Sequence, residues 1–170
     1  YEGIFPVWDW EALPGTTCER TGDPSVQNGT AGERSFAGGV SDGLYGLEAM
    51  DFTRESLRAR KAWFFFDDEY VCLGAGITCP TEHPWVTSLN QCLLDGEVHA
   101  GTLGTEAAPR GESVLGGETR VHHNGVGYAF PAPTDVKLFA GTRVGAWSLI
   151  GPRSAEEVRE DVFDLRMEHG

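Results

Sequence analysis

From Ser35 onward, hydrophobic and polar positions follow one another in short runs broken by turn residues. Phe36 to Val40, Leu44 to Phe52, Ala59 to Phe66, Glu69 to Ile77 and Val86 to Leu94 are apolar or alternating, the signature of strands. Gly96 to Ala100, Thr119 to His123, Gly127 to Phe130, Val136 to Val144, Gly145 to Ile150 and Val162 to His169 read the same way. A spacing of roughly 8–12 residues between such runs is what antiparallel sandwiches and barrels produce. The strongest local signal is Asn124-Gly125 between Glu118 to His123 and Gly127 to Phe130, which predicts a tight hairpin. Only Arg54 to Arg60 and Ser154 to Glu160 have a helical reading, the second because Ser154 and Glu157 form a capping box. The expected fold is all-β, an antiparallel β-sandwich with at most one or two short helices.

Residues 1–35 differ in character, since Pro6, Pro14, Gly15, Gly22, Pro24, Gly29 and Gly32 interrupt every periodic pattern. A long loop is predicted there. Asn28-Gly29-Thr30 satisfies the glycosylation sequon, a match so short that chance accounts for it. The chain has 170 residues, 40% of them apolar, which suits one large domain burying roughly two-thirds of its unfolded surface. Its 23 glycines far exceed the usual share of about 7% and call for many tight turns. No apolar run approaches the roughly 20 residues that cross a bilayer, so no membrane partner is expected. The start at Tyr1, without initiator Met or basic apolar leader, suggests a mature product or an internal piece.

Charge narrows the partners. Thirteen basic residues against 26 acidic ones leave a formal charge of −13, which argues against nucleic acid, whose phosphates need clustered Lys and Arg. It equally disfavours this chain as the main grip on an acidic polysaccharide. The four cysteines contain no C-x-x-C pair, so no metal site is expected. Cys72 and Cys92 lie in apolar strands and read as buried small hydrophobes, while Cys18 and Cys79 sit in turn-rich segments and would pair only if close in space. Trp8 and Trp10 flank Asp9 in a strand-like stretch and so share a face; they either form a sugar-stacking platform or, the preferred reading, close the core. His122 and His123 point to opposite faces of a strand and cannot chelate jointly. Asn90-Gln91 is polar within an apolar strand, and buried amides need partners, so the pair is expected to tie its strand to a neighbouring loop.

The stretch Lys61-Ala62-Trp63-Phe64-Phe65-Phe66-Asp67-Asp68-Glu69-Tyr70-Val71-Cys72-Leu73-Gly74-Ala75-Gly76-Ile77 reads as two strongly apolar strands around an acidic turn. Together with Trp8-Asp9-Trp10, Leu13-Pro14-Gly15-Thr16-Thr17, Gly38-Gly39-Val40-Ser41 and Asn124-Gly125-Val126-Gly127-Tyr128, it resembles the central super-sandwich domain of polysaccharide lyase family 8. That family comprises hyaluronate, chondroitin AC and xanthan lyases, and the blocks appear in its order almost end to end.

The resemblance implies a secreted bacterial enzyme that cleaves a uronate-containing acidic polysaccharide by β-elimination, without a cofactor. Such chemistry needs a base, an acid and a group that neutralises the uronate carboxylate, roles that in the family fall to Asn, His, Tyr and Arg of an N-terminal α/α-toroid domain. Nothing in this chain resembles that toroid, so none of its Tyr or His residues is given the part of base. The implied contribution of the β-domain is one wall of the cleft, with an acidic residue that orients a catalytic Arg of the toroid. Glu19, just after Pro14-Gly15-Thr16-Thr17, matches that position, and Thr16, Thr17, Arg20, Trp8 and Trp10 are the candidate substrate-binding residues. Some members hold a structural calcium near the equivalent of Asp67-Asp68-Glu69, where a solvated hairpin tip is the preferred reading. The domain organisation expected is a loop-rich segment 1–35 lining the inter-domain cleft and a sandwich 36–170. A comparable strand ending in His-Gly runs on into further strands in the family, so the sandwich is expected to be truncated at its C-terminal end. The competing readings are a non-catalytic carbohydrate-binding sandwich and a purely structural scaffold.

Overall fold

The computed structural model describes residues 3–22, 32–117, 119–132 and 134–169, so the Asn28-Gly29-Thr30 sequon lies outside the described residues. Thirteen strands occur among them: β1 Thr17–Glu19, β2 Ala37–Ser41, β3 Gly46–Arg54, β4 Leu57–Phe65, β5 Tyr70–Thr78, β6 Trp85–Leu93, β7 Val98–Gly101, β8 Glu106–Ala107, β9 Gly111–Leu115, β10 Thr119–His123, β11 Val126–Phe130, β12 Val136–Ala146 and β13 Glu157–Glu168. They form three sheets, in the orders β1-β6-β13-β12-β9, β11-β10-β7-β8 and β2-β3-β4-β5. The only helical pieces among the described residues are 3-10 turns at Phe5–Val7 and Trp147–Leu149. The all-β antiparallel fold expected from the patterning is therefore the one adopted, and no helix of the described residues is long and apolar enough to cross a membrane.

Both helical expectations are corrected. Arg54 to Arg60 is a hairpin, with a turn at Glu55-Ser56 and Glu55 at φ 52°, because Leu57 and Ala59 are buried while Arg58 and Arg60 are exposed, a period of two. At Ser154 the hydroxyl oxygen accepts the Glu156 N–H at 3.1 Å, a local turn in place of a cap. The strand β13 begins at Glu157 because it gains a continuous antiparallel ladder with β12, from Val136 opposite Met167 to Ala146 opposite Glu157; long-range pairing outweighs a single capping motif. Gly145 to Ile150 is likewise not a separate strand, since β12 runs on to Ala146 before the second 3-10 turn. The short strands β1, β8 and β9 fall outside every predicted run.

The chain divides into two compact units, Tyr1–Thr17 with Val86–Gly170, and Cys18–Trp85. In the first, alternate residues of β12 and β13 enter one core. Val136, Leu138, Ala140, Phe163 and Leu165 pack with Val98, Ala100 and Val121 of β7 and β10, so two sheets meet face to face as in a sandwich. The opposite face of β12 and β13 is covered by the leading loop, where Ile4 and Val7 bury against Val162, with Phe139 and Val158 at the margin. That approach is close: a Cβ on Gly145 would lie 1.8 Å from the Pro6 carbonyl oxygen.

The second unit is an antiparallel meander of β2 to β5. Little covers it within its own unit, and Phe36, Val40, Leu44, Tyr70 and Leu73 are all more than half exposed. Cys72 shares that exposure, which corrects the expectation of a buried thiol: an apolar run does not by itself bury a side chain, and β5 is exposed on both faces. Cys18 and Cys79 are the buried cysteines, and no disulfide joins any of the four among the described residues. Asp67, Asp68 and Glu69 form an exposed turn between β4 and β5.

Candidate functional site

A buried amide ties the leading loop to β6. Gln91 on β6 is 1% exposed; its Oε1 accepts the Asp9 N–H at 2.6 Å and its Nε2 donates to the Asp9 and Ala12 carbonyls, both at 3.3 Å. The predicted tie between strand and loop is thus present at Gln91, on the residue between the two tryptophans, whereas Asn90 Nδ2 donates to the Tyr128 hydroxyl of β11 at 2.6 Å. The Arg143 guanidinium donates to the same Gln91 Oε1 at 2.7 Å and pairs with Asp164. Asp164, 2% exposed, also takes a bond from Arg166 Nη1 at 3.1 Å. Buried charge is tolerable only when so paired. None of these three charged residues stood out in the sequence, although an Asp and an Arg among the apolar positions of Val162-Phe163-Asp164-Leu165-Arg166 were the available signal.

Trp8 and Trp10 lie in irregular chain and not in a strand. Their rings meet edge to face at 5.3 Å, and Phe5 stacks on Trp8 at 5.4 Å while Trp147 meets Phe5 edge-on at 6.4 Å. The Trp10 indole N–H donates to the Phe5 carbonyl at 3.0 Å. Both tryptophans are half-buried and pack on one another. Glu11 is 7% exposed, with its backbone N–H on Asp9 Oδ1 at 3.2 Å.

Pro14-Gly15 makes the turn that sends the chain into β1. Gly15 takes φ 83°, a region glycine enters at no steric cost, and its N–H reaches the Ser88 carbonyl at 2.9 Å. Thr16 is exposed, with its hydroxyl turned back to the Leu13 carbonyl at 2.6 Å. Thr17 is buried, its hydroxyl 2.8 Å from that of Thr87, which in turn lies 2.8 Å from His169 Nε2. Thr16 therefore presents an outward surface, and Thr17 belongs to the packing beneath it. Glu19 closes β1 and, like Arg20 after it, is half-buried. The Arg20 N–H donates to the Pro84 carbonyl at 2.7 Å.

The histidines separate as predicted, His122 exposed and His123 buried at 2%. Asn124 at φ 45° and Gly125 at φ 76° form the expected hairpin turn. His123 stacks on Phe163 at 4.3 Å, and its Nε2 accepts the Asp95 N–H at 3.1 Å, so the neutral ring carries its proton on Nδ1, 3.8 Å from Cys92 Sγ. Burial pushes its pKa below the ordinary value, against an opposing pull from Asp95. Among the described residues, no three His, Cys, Asp or Glu side chains are placed to hold a metal ion.

The leading loop thus combines a hydrogen-bonded anchor at Gln91 with an aromatic cluster. The sequence pattern described as polysaccharide lyase family 8, super-sandwich domain, matches residues 1–170. The chain is 40% identical to a chondroitinase-AC of Pedobacter heparinus across its whole length, which is 25% of that protein. It is 33% identical to a hyaluronate lyase of Thermasporomyces composti over 99% of the chain and 23% of the relative. Among solved structures, a chondroitinase AC lyase studied with oligosaccharides superposes with a TM-score of 0.85 at 36% identity, covering all of this chain and 26% of the other. A chondroitin AC lyase of Streptomyces coelicolor superposes at 0.69 with 28% identity, over 99% of this chain and 22% of that one. The chain thus spans about a quarter of the length of these relatives, and it belongs to polysaccharide lyase family 8 through that family's super-sandwich domain.

Proposed function

We propose that this chain is the central β-domain of a secreted bacterial polysaccharide lyase that cleaves a uronate-containing polysaccharide of hyaluronan, chondroitin or xanthan type by β-elimination. The observation that carries the reading is the end-to-end match to the family's super-sandwich domain, supported by relatives at 40% and 33% identity. In this reading the base, the acid and the carboxylate-neutralising groups reside on an α/α-toroid domain of the same protein, with further C-terminal β-strands completing the sandwich. In this reading the loop-rich leading segment lines the cleft.

Within that segment Glu19 orients a toroid Arg, because a carboxylate accepting two parallel N–H bonds fixes the plane of a guanidinium. Exposed Thr16 and the neighbouring Arg20 contact the glycan directly. Thr17, with its hydroxyl on Thr87, and the Trp8–Trp10 pair, with rings already packed together, serve the site by holding the loop. The Gln91 bonds to Asp9 and Ala12 anchor that loop, which supports its use as a preformed wall, since a wall that must be ordered on binding loses affinity.

The test follows the ultraviolet absorbance of the unsaturated uronate that β-elimination creates. The longer protein carrying this chain should raise that absorbance on at least one of hyaluronan, chondroitin or xanthan. The 170-residue chain alone should not, because it lacks the base. Activity of the isolated chain would overturn the two-domain reading, and inactivity of the longer protein on every uronate glycan would overturn the assignment as a lyase.

A further inference from the structure

In the unit Cys18–Trp85, one face of the meander gathers arginines. Asp51 of β3 stands opposite Arg60 of β4, and Thr53 opposite Arg58; directly opposed residues share a face, so all four lie on the same side. Arg34 joins them from the segment before β2, its Nε donating to Thr53 Oγ1 at 3.2 Å. With Gly76 these side chains line a cavity of about 240 Å³. The β4–β5 ladder is broken at that point: Arg58 opposes Thr78 but Arg60 opposes Ala75, which leaves one extra residue on β5. Gly76 in this bulge takes φ 59°, and a Cβ there would sit 3.8 Å from Arg60 Nη2. Bulges bend a strand and re-aim its side chains, and this one leaves space beside the Arg60 guanidinium.

The three arginines have no ion-pair partner among the described residues, whereas Arg110, Arg143, Arg159 and Arg166 each hold a carboxylate. Asp51 is the one carboxylate in the lining and makes no ion pair among the described residues. The cavity therefore carries a formal charge of about +2 at neutral pH, three guanidinium groups against one carboxylate, inside a chain whose net charge is −13. Like charges held together on one face repel unless an anion joins them. Guanidinium forks match the planar oxygens of a carboxylate or the oxygens of a sulfate. The volume is below the roughly 300–1,000 Å³ of pockets that engulf a drug-sized ligand, which suits one charged group of a longer molecule. Along the same face, Ala62 and Phe64 lead away from the arginines, opposite Leu73 and Val71, and both of those β5 residues are exposed. An apolar surface beside an anion hole fits a sugar ring with its acidic substituent.

We propose that Arg34, Arg58 and Arg60 form a subsite for a carboxylate or sulfate group of an acidic glycan. The identity of the anion's carrier rests on the lyase reading above; the anion site itself rests on the cavity.

Two measurements test it, on wild type and on the double variant Arg58→Gln with Arg60→Gln. The first is calorimetric binding of a chondroitin sulfate hexasaccharide, a hyaluronan hexasaccharide, an uncharged N-acetylglucosamine hexamer and inorganic sulfate to the full 170-residue chain, with the variant's β spectrum checked by circular dichroism. Both acidic hexasaccharides should bind in a salt-dependent manner, and the variant should bind them about tenfold or more weakly; a stronger response from the sulfated one assigns the site to the sulfate ester, an equal response to the carboxylate. The second is the KM of the longer protein for polymeric acidic glycan, expected to rise in the variant with kcat unchanged. Equal hexasaccharide affinity in wild type and variant overturns the subsite, as does a loss of stability without change in affinity or KM, which would mean that a protein carboxylate fills the cavity. Binding of inorganic sulfate with no response to either glycan leaves an adventitious ion only and also overturns it. Absence of lyase activity in the wild-type longer protein would defeat the function proposed above while the binding measurement still decides the cavity.

Discussion

His123 and Glu19 show how differently two polar residues are employed a few strands apart. The His123 ring is buried against Phe163 and neutral, and its Nε2 is occupied by the Asp95 N–H, so protonation breaks that bond and charges a buried ring. Burial lowers its folded-state pKa below 6.5, and the unfolded chain therefore binds a proton first as pH falls. Its contribution to stability is complete above about pH 6.5 and is lost as pH drops toward the folded pKa. His122 and Asp95 are the titratable neighbours that modulate it. Denaturant midpoints at about pH 7.5 and about pH 5.5 should differ more in wild type than in His123→Leu; an equal difference would show that carboxylates alone cause the acid sensitivity. Glu19 lies half-buried at the end of a three-residue strand. In the longer protein, Glu19→Gln should lower turnover roughly tenfold to a hundredfold, the loss of one charge-assisted contact of about 1.5–3 kcal/mol, with little change in folding. Glu82, exposed and remote in the chain from the loop, is the control, because Glu11 is buried and its replacement would perturb packing. Equal activity of Glu19→Gln and Glu82→Gln, or unfolding of the former, would reduce Glu19 to a structural residue.

Between elements, the decisive contact is the leading loop on the outer face of β12 and β13. Its apolar part seats Ile4 and Val7 against Val162, and its polar part is clamped by Gln91. At Gly145 the two backbones approach so closely that only the absence of a Cβ permits the Pro6 carbonyl to lie there. Gly145→Ala should cost about 1–3 kcal/mol, the range for overpacking a tight contact, and displace the loop before the sheet melts. The emission of Trp8 and Trp10 would report it as a shift at denaturant concentrations below the main transition. A variant with wild-type stability and an unchanged spectrum would mean that the loop moves freely on β12. The same element scale explains why Ser154 failed as a helix start: one capping hydroxyl is weighed against the whole β12–β13 ladder.

At the scale of the molecule, a chain this rich in short strands should give a β-type circular dichroism spectrum, and helix content above about one-third, the globular average, would refute the fold. The strands β2 to β7 and β10 to β13 were legible because alternation has a period of two and Gly or Asn marks the turns between runs, except for the starts of β4 and β13, which fell in the two segments read as helical. The hairpin at Asn124-Gly125 was legible to the residue, since that pair takes positive φ where most others are strained. Resemblance of the Trp8, Pro14-Gly15 and Lys61 to Ile77 blocks likewise named the family before any coordinate. What the sequence could not supply is which faces are covered. Cys72 sits in an apolar run and Cys79 in a turn-rich segment, yet the first is exposed and the second buried, because burial depends on packing by residues distant in the chain. The short strands β1, β8 and β9 exist only through their neighbours, since two to five residues carry too little periodicity to announce themselves. The Gln91–Arg143–Asp164 network and the arginine cavity were illegible for the same reason. Periodicity is a property of adjacent residues and fixes local backbone form, whereas pairing of charges across strands is a property of register, which only the folded chain decides.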